Sequence, residues 1–314
     1  MDPKISVIIT SFNRLNFLTS AIDSVLKQTF ENFELIILDN SSDDGTKNFL
    51  ETIVDRRVSY IIHEKMGISK QRNLGLRMAQ SNYVAFLDDD DIWLPTKLEN
   101  QYNAIVNNSN AALVYGGFCF YSDDGSKWGY HVPSVTTNHF IQLLTTNDPF
   151  CGSASNPLLN KKCVSAVGGY DESVEVGEDW ELYLRLAKDY VFLGVDEVLI
   201  EIRQHFGPRL GDKVDKALDT DQIVFDKHHS LMDKNTQLLY MQKIAFKYIR
   251  IGKRMSAFHY LRKATLINFL SPKNYVLYLF LLLPRKLVIL FNSLRRRIRS
   301  KYNFNKTPIT RLNR

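Results

Sequence analysis

Cysteine is scarce in this chain. Three in 314 residues, Cys119, Cys151 and Cys163, are too few and too irregularly spaced for a disulfide framework or a thiolate metal site, which points to a reducing compartment. The opening MDPKISVIIT has no basic segment and no long apolar stretch before a cleavage site, so no secretory signal is expected. No G-x-G-x-x-G follows the first apolar run and no G-x-x-x-x-G-K-[ST] occurs, which argues against dinucleotide oxidoreductases and P-loop NTPases. Acidic residues are missing altogether from 234–314, a segment with 19 Lys and Arg. Residues 1–233 then carry 21 basic against 34 acidic side chains, so a body of net charge −13 precedes a segment of +19. Such asymmetry suggests a basic appendage that seeks a polyanion, either phospholipid or nucleic acid. A long hydrophobic run is lacking too: nine apolar residues at 275–283 are interrupted by Pro284, Arg285 and Lys286, short of the roughly 20 that a spanning helix needs.

What the chain does contain is centred on residues 83–91, YVAFLDDDD. Five apolar residues lead directly into Asp88, Asp89, Asp90 and Asp91. A short, wholly apolar run reads as a buried strand of a parallel sheet covered on both faces, and such sheets bind ligands at the carboxyl ends of their strands. Carboxylates crowded there raise one another's pKa unless a cation neutralises them. Hard oxygen donors suit Mn²⁺ or Mg²⁺, with substrate phosphates completing the coordination. A solvated acidic turn is the plain alternative.

The surrounding pattern supports the sheet. Apolar runs at 4–10, 33–38 and 58–63 predict three more strands, and 15–26, 46–54 and 67–79 predict intervening helices, the alternation of a doubly wound parallel sheet. Ser42, Asp43 and Asp44 are cap candidates, and Pro95 suits the first turn of a helix over 95–106. Beyond residue 110 the pattern predicts strands at 111–121, 127–132 and 153–160, a short helix at 138–145, a loop at 168–171, and strands at 191–195 and 198–202. Glu178, Asp179 and Trp180 open a helix, where acids also suit the helix dipole simply as caps.

Six stretches, VIITSFNR (7–14), LIILDNSSDDGT (35–46), GISKQRN (67–73), FLDDDDIW (86–93), GGYDES (168–173) and GEDWELYLRL (177–186), occur in this order. Together they resemble the family 2 inverting nucleotide-sugar glycosyltransferases of bacterial polysaccharide type, which have the GT-A fold, over residues 4–206. The resemblance implies a mostly parallel, Rossmann-like sheet with Thr10, Phe12 and Arg14 around base and ribose and Asp39 accepting from the base. It implies Arg72 and Asn73 beside the donor sugar or its phosphates. The DxD element falls on Asp88, Asp89 and Asp90, with Asp90 as ligand to Mn²⁺ or Mg²⁺, Asp88 on ribose or a metal-bound water, and Asp91 a donor-sugar or supporting contact. Asp179 takes the position of the catalytic base. Gly169, Tyr170, Glu178 and Trp180 border the acceptor, although core packing also accounts for Trp180. His205 corresponds to a histidine that some relatives hold near the metal, an ordinary loop histidine being the alternative. Gln71 and Asn40 depart from the family pattern at positions that bear on donor identity.

The implied reaction is metal-dependent transfer of a sugar, with inversion, from a UDP-sugar to a hydroxyl of a polysaccharide or lipid-linked oligosaccharide. No Q-x-x-R-W occurs, which argues against a processive synthase. A nucleotidyltransferase would need a Gly-rich basic loop after the first strand, which SFNRLN does not supply; a non-catalytic membrane-bound scaffold of the same fold is the rival from another class. Residues 237–269 predict a helical hairpin about Gly252, similar to one tetratricopeptide-type pair. Residues 271–314, with LRRRIRSK at 294–301, read as an interfacial helix with a polybasic anchor. That predicts attachment to an anionic membrane surface on the inner face of the cell membrane, docking of the helix on the catalytic part being the alternative. Nucleic acid is disfavoured, because the basic run adjoins an apolar one. The expected organisation is 1–233 catalytic, with a nucleotide-sugar half at 1–110 and an acceptor half at 111–206, then the hairpin at 234–270 and the tail at 271–314; the oligomeric state is left open.

Overall fold

The computed structural model describes residues 2–133, 139–146, 151–204, 213–288 and 290–291. His205 and the basic run at 294–301 therefore lie outside the described residues. Two compact units result: Met1–Ser173 with Glu178–Phe206, and Val174–Gly177 with Gly207–Arg314.

The first unit alternates β1 (Ile5–Ser11), α1 (Leu15–Leu26), β2 (Phe33–Asp39), α2 (Thr46–Leu50), β3 (Val58–Ile62), α3 (Ile68–Met78) and β4 (Tyr83–Asp88). β5 (Ile92–Trp93), α4 (Lys97–Ile105), β6 (Ala111–Tyr121), β7 (Lys127–His131), α5 (His139–Thr146), β8 (Leu158–Asn160), α6 (Lys161–Ala166), α7 (Glu178–Asp189) and β9 (Val191–Arg203) follow. Among the described residues these strands make one sheet in the order β3-β2-β1-β4-β8-β6-β9-β5, with β7 hydrogen-bonded to β6. The first four strands are parallel, β8 is antiparallel to β4 and β6, and β6 is parallel to β9.

Strand alternation explains why both sheet faces are covered. Val7, Ile9, Leu35, Ile37, Ala85 and Leu87 share one core with Leu18, Ile22 and Val25 of α1 and Leu98 of α4. The residues between them face the other way, toward α3. There Gly75 lets helix and strand close in: a Cβ at that position would lie 2.8 Å from two atoms of Ile8. Register then sets the site, because Thr10 lies beside both Leu38 and Asp88, and Ser11 beside Asp39. The carboxyl ends of β1, β2 and β4 are level with one another.

Several expected boundaries shift. The strands expected at 191–195 and 198–202 are one strand, β9, whose pairing with β6 slips at Gly116 and Gly117. Of 153–160 only β8 is a strand, the rest being a loop rich in polar groups, and the helix expected over 46–54 stops at Leu50. β5, and a helix ahead of the expected hairpin, are additional.

The second unit consists of α8 (Val214–His228), α9 (Lys234–Ile251), α10 (Arg254–Ile267) and α11 (Pro272–Leu282). Ala245, Ile249, Ala257, Leu261, Leu277 and Val288 form a core of its own. Gly252, at φ +86°, ends α9, its N–H donating to the Ile249 carbonyl while Lys253 N–H donates to that of Tyr248. Among the described residues no helix is long and apolar enough to cross a membrane.

Candidate active site

Asp39 ends β2 fully buried. The Ser42 hydroxyl and backbone N–H donate to its two oxygens, at 2.5 and 3.0 Å. The same hydroxyl accepts from Asn13 N–H at 2.8 Å, and the Asn13 side-chain oxygen accepts from Asp43 N–H at 2.9 Å. These bonds join the turn after β1 to the loop after β2 and hold Asn13 and Ser41 at φ +52° and +57°, a backbone conformation that costs a non-glycine residue on the order of 1 kcal/mol or more. Thr10 is buried beneath this junction, whereas the Phe12 ring stands 42% exposed with Lys65 Nζ 4.9 Å from its centroid. A flat aromatic face and a cation thus flank the strand ends.

The four aspartates have different surroundings. Asp91 is buried and structural in its contacts: Oδ2 accepts from the hydroxyls of Ser153 and Ser155 at 2.8 and 2.6 Å, and Oδ1 from Arg203 N–H at 3.1 Å. Burial, reinforced by the charges of Asp90 and Asp88, pushes Asp91 up to about 8. Asp88 donates its backbone N–H to Ser155 Oγ and accepts from Arg72 Nη2 at 3.0 Å; burial raises it, and Arg72 opposes the rise. Asp89 and Asp90 share Arg14, whose Nη1 donates to Asp89 Oδ1 at 3.2 Å and Asp90 Oδ2 at 2.8 Å. Burial, opposed by Arg14, pushes Asp89 up to about 7.

A divalent cation suits this donor set. Among the described residues no three metal-ligating side chains converge, and the carboxylates that would hold the ion are those of Asp90 and its neighbour Asp88. Mg²⁺ and Mn²⁺ are commonly held by one or two carboxylates with phosphate oxygens and water filling the rest. That a guanidinium already rests against Asp90 marks the spot as one that attracts positive charge.

Arg72 joins this cluster to α7. It is buried, donates through Nη2 to Asp88 and through Nη1 to Glu178, and its guanidinium carbon lies 5.8 and 5.6 Å from the ring centroids of Phe86 and Tyr170. Burial, opposed by Arg72, pushes Glu178 up to about 7. Asp179, next along, is half-buried, and its Oδ1 accepts from Trp180 N–H at 2.8 Å. Its charge acts on Asp88, Arg72 and Tyr170 alike. Trp180 is buried, its indole N–H donating to the Leu143 carbonyl, which braces α7 on α5. Asn73 clamps the neighbouring loop, its amide donating to the Tyr170 carbonyl and accepting from Tyr170 N–H, each at 2.9 Å. Gly169 passes so close, at φ +72°, that a Cβ would lie 2.8 Å from Asn73 Oδ1. Tyr170 is buried with its hydroxyl lacking a hydrogen-bond partner among the described residues.

The expected residues thus gather at one mouth, except His205, which lies outside the described residues. Ser153, Ser155 and Arg203, which hold Asp91, went unread in the sequence; their motif partner is more than 60 residues away, and no local pattern marks them.

Known proteins resemble this chain in sequence and fold. The sequence profile of glycosyl transferase family 2 matches residues 6–167, just over half the chain. An uncharacterized glycosyltransferase of Rickettsia felis is 30% identical over 204 residues, covering 64% of this chain and 33% of that protein. The UDP-Glc:alpha-D-GlcNAc-diphosphoundecaprenol beta-1,3-glucosyltransferase WfgD of Escherichia coli is 36% identical over 143 residues, covering 45% of this chain and 56% of WfgD. The chain thus spans between a third and three-fifths of the length of these relatives. Residues 1–349 of S. aureus TarS, solved in complex with UDP-GlcNAc, superpose with a TM-score of 0.54 at 17% identity, covering 88% of this chain and 89% of that one. The expected GT-A-type, mostly parallel sheet with a helical C-terminal region is therefore the fold observed, and by its matched residues and motifs the chain belongs to glycosyl transferase family 2.

Proposed function

We propose that the protein is a metal-dependent inverting glycosyltransferase that moves a sugar from a UDP-sugar to a hydroxyl of a polysaccharide or lipid-linked oligosaccharide. The observation that carries this reading is the joining, through Arg72, of the aspartates that end β4 to the first turn of α7. Donor chemistry and a candidate base meet there although about 90 residues separate them in sequence. WfgD, by its name, uses UDP-glucose and a diphosphoundecaprenol-linked acceptor, and the TarS structure holds UDP-GlcNAc; both favour a UDP-sugar.

In this reading Asp39, Thr10 and Phe12 receive the base and ribose, Asp90 would hold Mn²⁺ or Mg²⁺ against the diphosphate, and Asp88 would meet the ribose or a metal-bound water. The cation would stabilise, as a Lewis acid, the charge that develops on the leaving diphosphate. Asp179 takes the proton of the acceptor hydroxyl as that oxygen attacks the anomeric carbon. Attack from the face opposite the leaving group inverts the centre in one displacement. The Trp180 N–H orients the Asp179 carboxylate through Oδ1 and leaves Oδ2 for the proton. Gly169 and Tyr170, anchored by Asn73, shape the acceptor side, with Glu178 and Trp180 as support beneath it.

The acceptor's membrane is approached through the second unit. Leu266, Phe269, Leu270 and Leu282 are each more than two-thirds exposed, and Val276 and Leu279 lie between them on α11. An apolar face in a segment with 19 basic and no acidic residues suits an anionic bilayer at the inner surface of the cell membrane.

The reading is tested by Asp179→Asn. Transfer should fall by roughly 10²–10⁴, the usual worth of a general base, while UDP-sugar binding measured by calorimetry stays within a few-fold. Transfer at the wild-type rate would remove Asp179 as the base.

A further inference from the structure

We infer that β3 is a dimer interface: two copies of this chain join their sheets edge to edge by antiparallel pairing of Val58–Ile62, centred on Tyr60. This goes beyond the donor-site reading above and does not depend on it.

Among the described residues β3 ends the sheet, hydrogen-bonded to β2 alone. Charge and proline, which usually blunt an open edge, are both missing from its sequence VSYII. Tyr60, Ile61 and Ile62 are each more than a third exposed. The bonds to β2 fix which backbone groups face outward. The Arg57 carbonyl accepts from Leu35 N–H at 2.8 Å, and His63 N–H donates to the Asp39 carbonyl at 3.0 Å, so the odd-numbered residues bond inward. In a parallel ladder the residues between them turn N–H and C=O the other way. Those of Tyr60 and Ile62 therefore point out from the sheet, as does the Val58 carbonyl, while Val58 N–H donates to the Asp55 carbonyl. Antiparallel pairing of even with even residues uses these groups. Tyr60 of each copy exchanges N–H and C=O with Tyr60 of the other, and each Ile62 N–H donates to a Val58 carbonyl, about a two-fold axis.

Charge selects the register. Centred on Tyr60, the pairing sets Arg56 of one copy against Glu64 of the other and Asp55 against Lys65, and symmetry repeats both. Opposite charges facing across paired strands stabilise them, and like charges do the reverse. Centring on Ile61 would set Arg57 against Lys65, and centring on Ser59 would set Arg56 against Ile62. Asp55 is already held by its own Arg57 at 2.7 Å, whereas Arg56 and Glu64 are both exposed, which makes theirs the deciding pair. The surface is thus complementary to itself, as an isologous dimer requires. Antiparallel pairing also sets the carboxyl end of one β3 beside the amino end of the other, so the two donor sites open toward opposite ends of the joined sheet.

The test is sedimentation equilibrium of the full chain, in which the wild type should be a reversible dimer. Tyr60→Pro removes an outward N–H and no bond within the chain, so it should weaken association at least about tenfold while the circular dichroism spectrum is kept. Should that variant fold poorly, the exposed charges decide: Arg56→Glu and Glu64→Arg should each weaken association by about tenfold, and the two together should restore it. A wild type that stays monomeric at every concentration would overturn the inference. So would a dimer that Tyr60→Pro and both single reversals leave at full strength, since another surface would then hold it.

Discussion

Lys97 is the least comfortable residue in the fold. It opens α4 with no exposed surface, and Nζ lacks a hydrogen-bond partner among the described residues while lying 3.6 Å from the Trp93 ring centroid. A desolvated cation–π contact contributes about 2 kcal/mol, less than the several kcal/mol that an isolated buried ammonium costs. Burial therefore holds the amine well below its usual 10.5. With the folded value below the unfolded one, the folded chain binds fewer protons, so stability rises with pH across the window ending near 10.5. Lys97→Met, which conserves length and removes the amine, should raise the melting temperature by several degrees near neutral pH, and its advantage should narrow toward about pH 10. Thermal denaturation at several pH values checks this; a variant that melts lower throughout would contradict it. The sequence showed nothing unusual at Lys97, because a lysine just after a proline in a first helical turn is ordinarily solvated. The aspartates were legible for the opposite reason: four carboxylates at the end of an apolar run make a demand on their surroundings that any fold must answer. Asp179 was legible only through the family's motif order, since an acid in a first turn is also a normal cap. The Ser153 and Ser155 contacts to Asp91 were not legible, for they depend on β4 and β8 becoming neighbours.

At the scale of elements, the parallel half was readable because its central strands are buried on both faces and so carry nearly continuous apolar runs. The other half was harder. β9 carries Gly194, Asp196 and Glu197 at its centre, which split one strand into two expected ones; its slipped pairing opposite Gly116 and Gly117 accommodates them. β5 has two residues, too few for any periodicity, and is defined by its pairing with Glu201 and Ile200. α8, with four Asp and Lys among its first eight residues (214–221) and Leu218 buried among them, shows little apolar pattern until its partner α9 is in place. Gly252 was marked correctly as the break in the hairpin, and its left-handed φ of +86° gives that break a test. A Cβ there meets nothing closer than 3.6 Å, so Gly252→Ala should cost only backbone strain, about 1–2 kcal/mol. Urea denaturation followed by far-ultraviolet circular dichroism should show that loss. No loss would mean that the α9–α10 turn relaxes freely.

For the whole molecule, excess basic charge is concentrated in residues 234–314, and the second unit exposes Leu266, Phe269, Leu270 and Leu282 in the same stretch. A surface carrying Leu270 and Leu282 exposed, in a stretch free of acidic residues, should bind vesicles containing anionic lipid and release them as salt rises. Replacing both leucines by Glu should abolish co-sedimentation with such vesicles while leaving nucleotide binding unchanged; sedimentation equal to wild type would contradict the membrane assignment. The most direct measurement of the central claim, a metal-dependent nucleotide-sugar site at the ends of β1, β2 and β4, is thermal stabilisation by UDP-, GDP- and dTDP-sugars with and without Mn²⁺, in the wild type and in Asp90→Asn. A ligand that binds only the folded protein stabilises it by about 2.7 kcal/mol at 100 times its dissociation constant. The account predicts stabilisation by UDP-sugars that requires Mn²⁺ and disappears in Asp90→Asn. No stabilisation by any of these donors, or stabilisation by UDP-sugars that Asp90→Asn leaves intact, would contradict it.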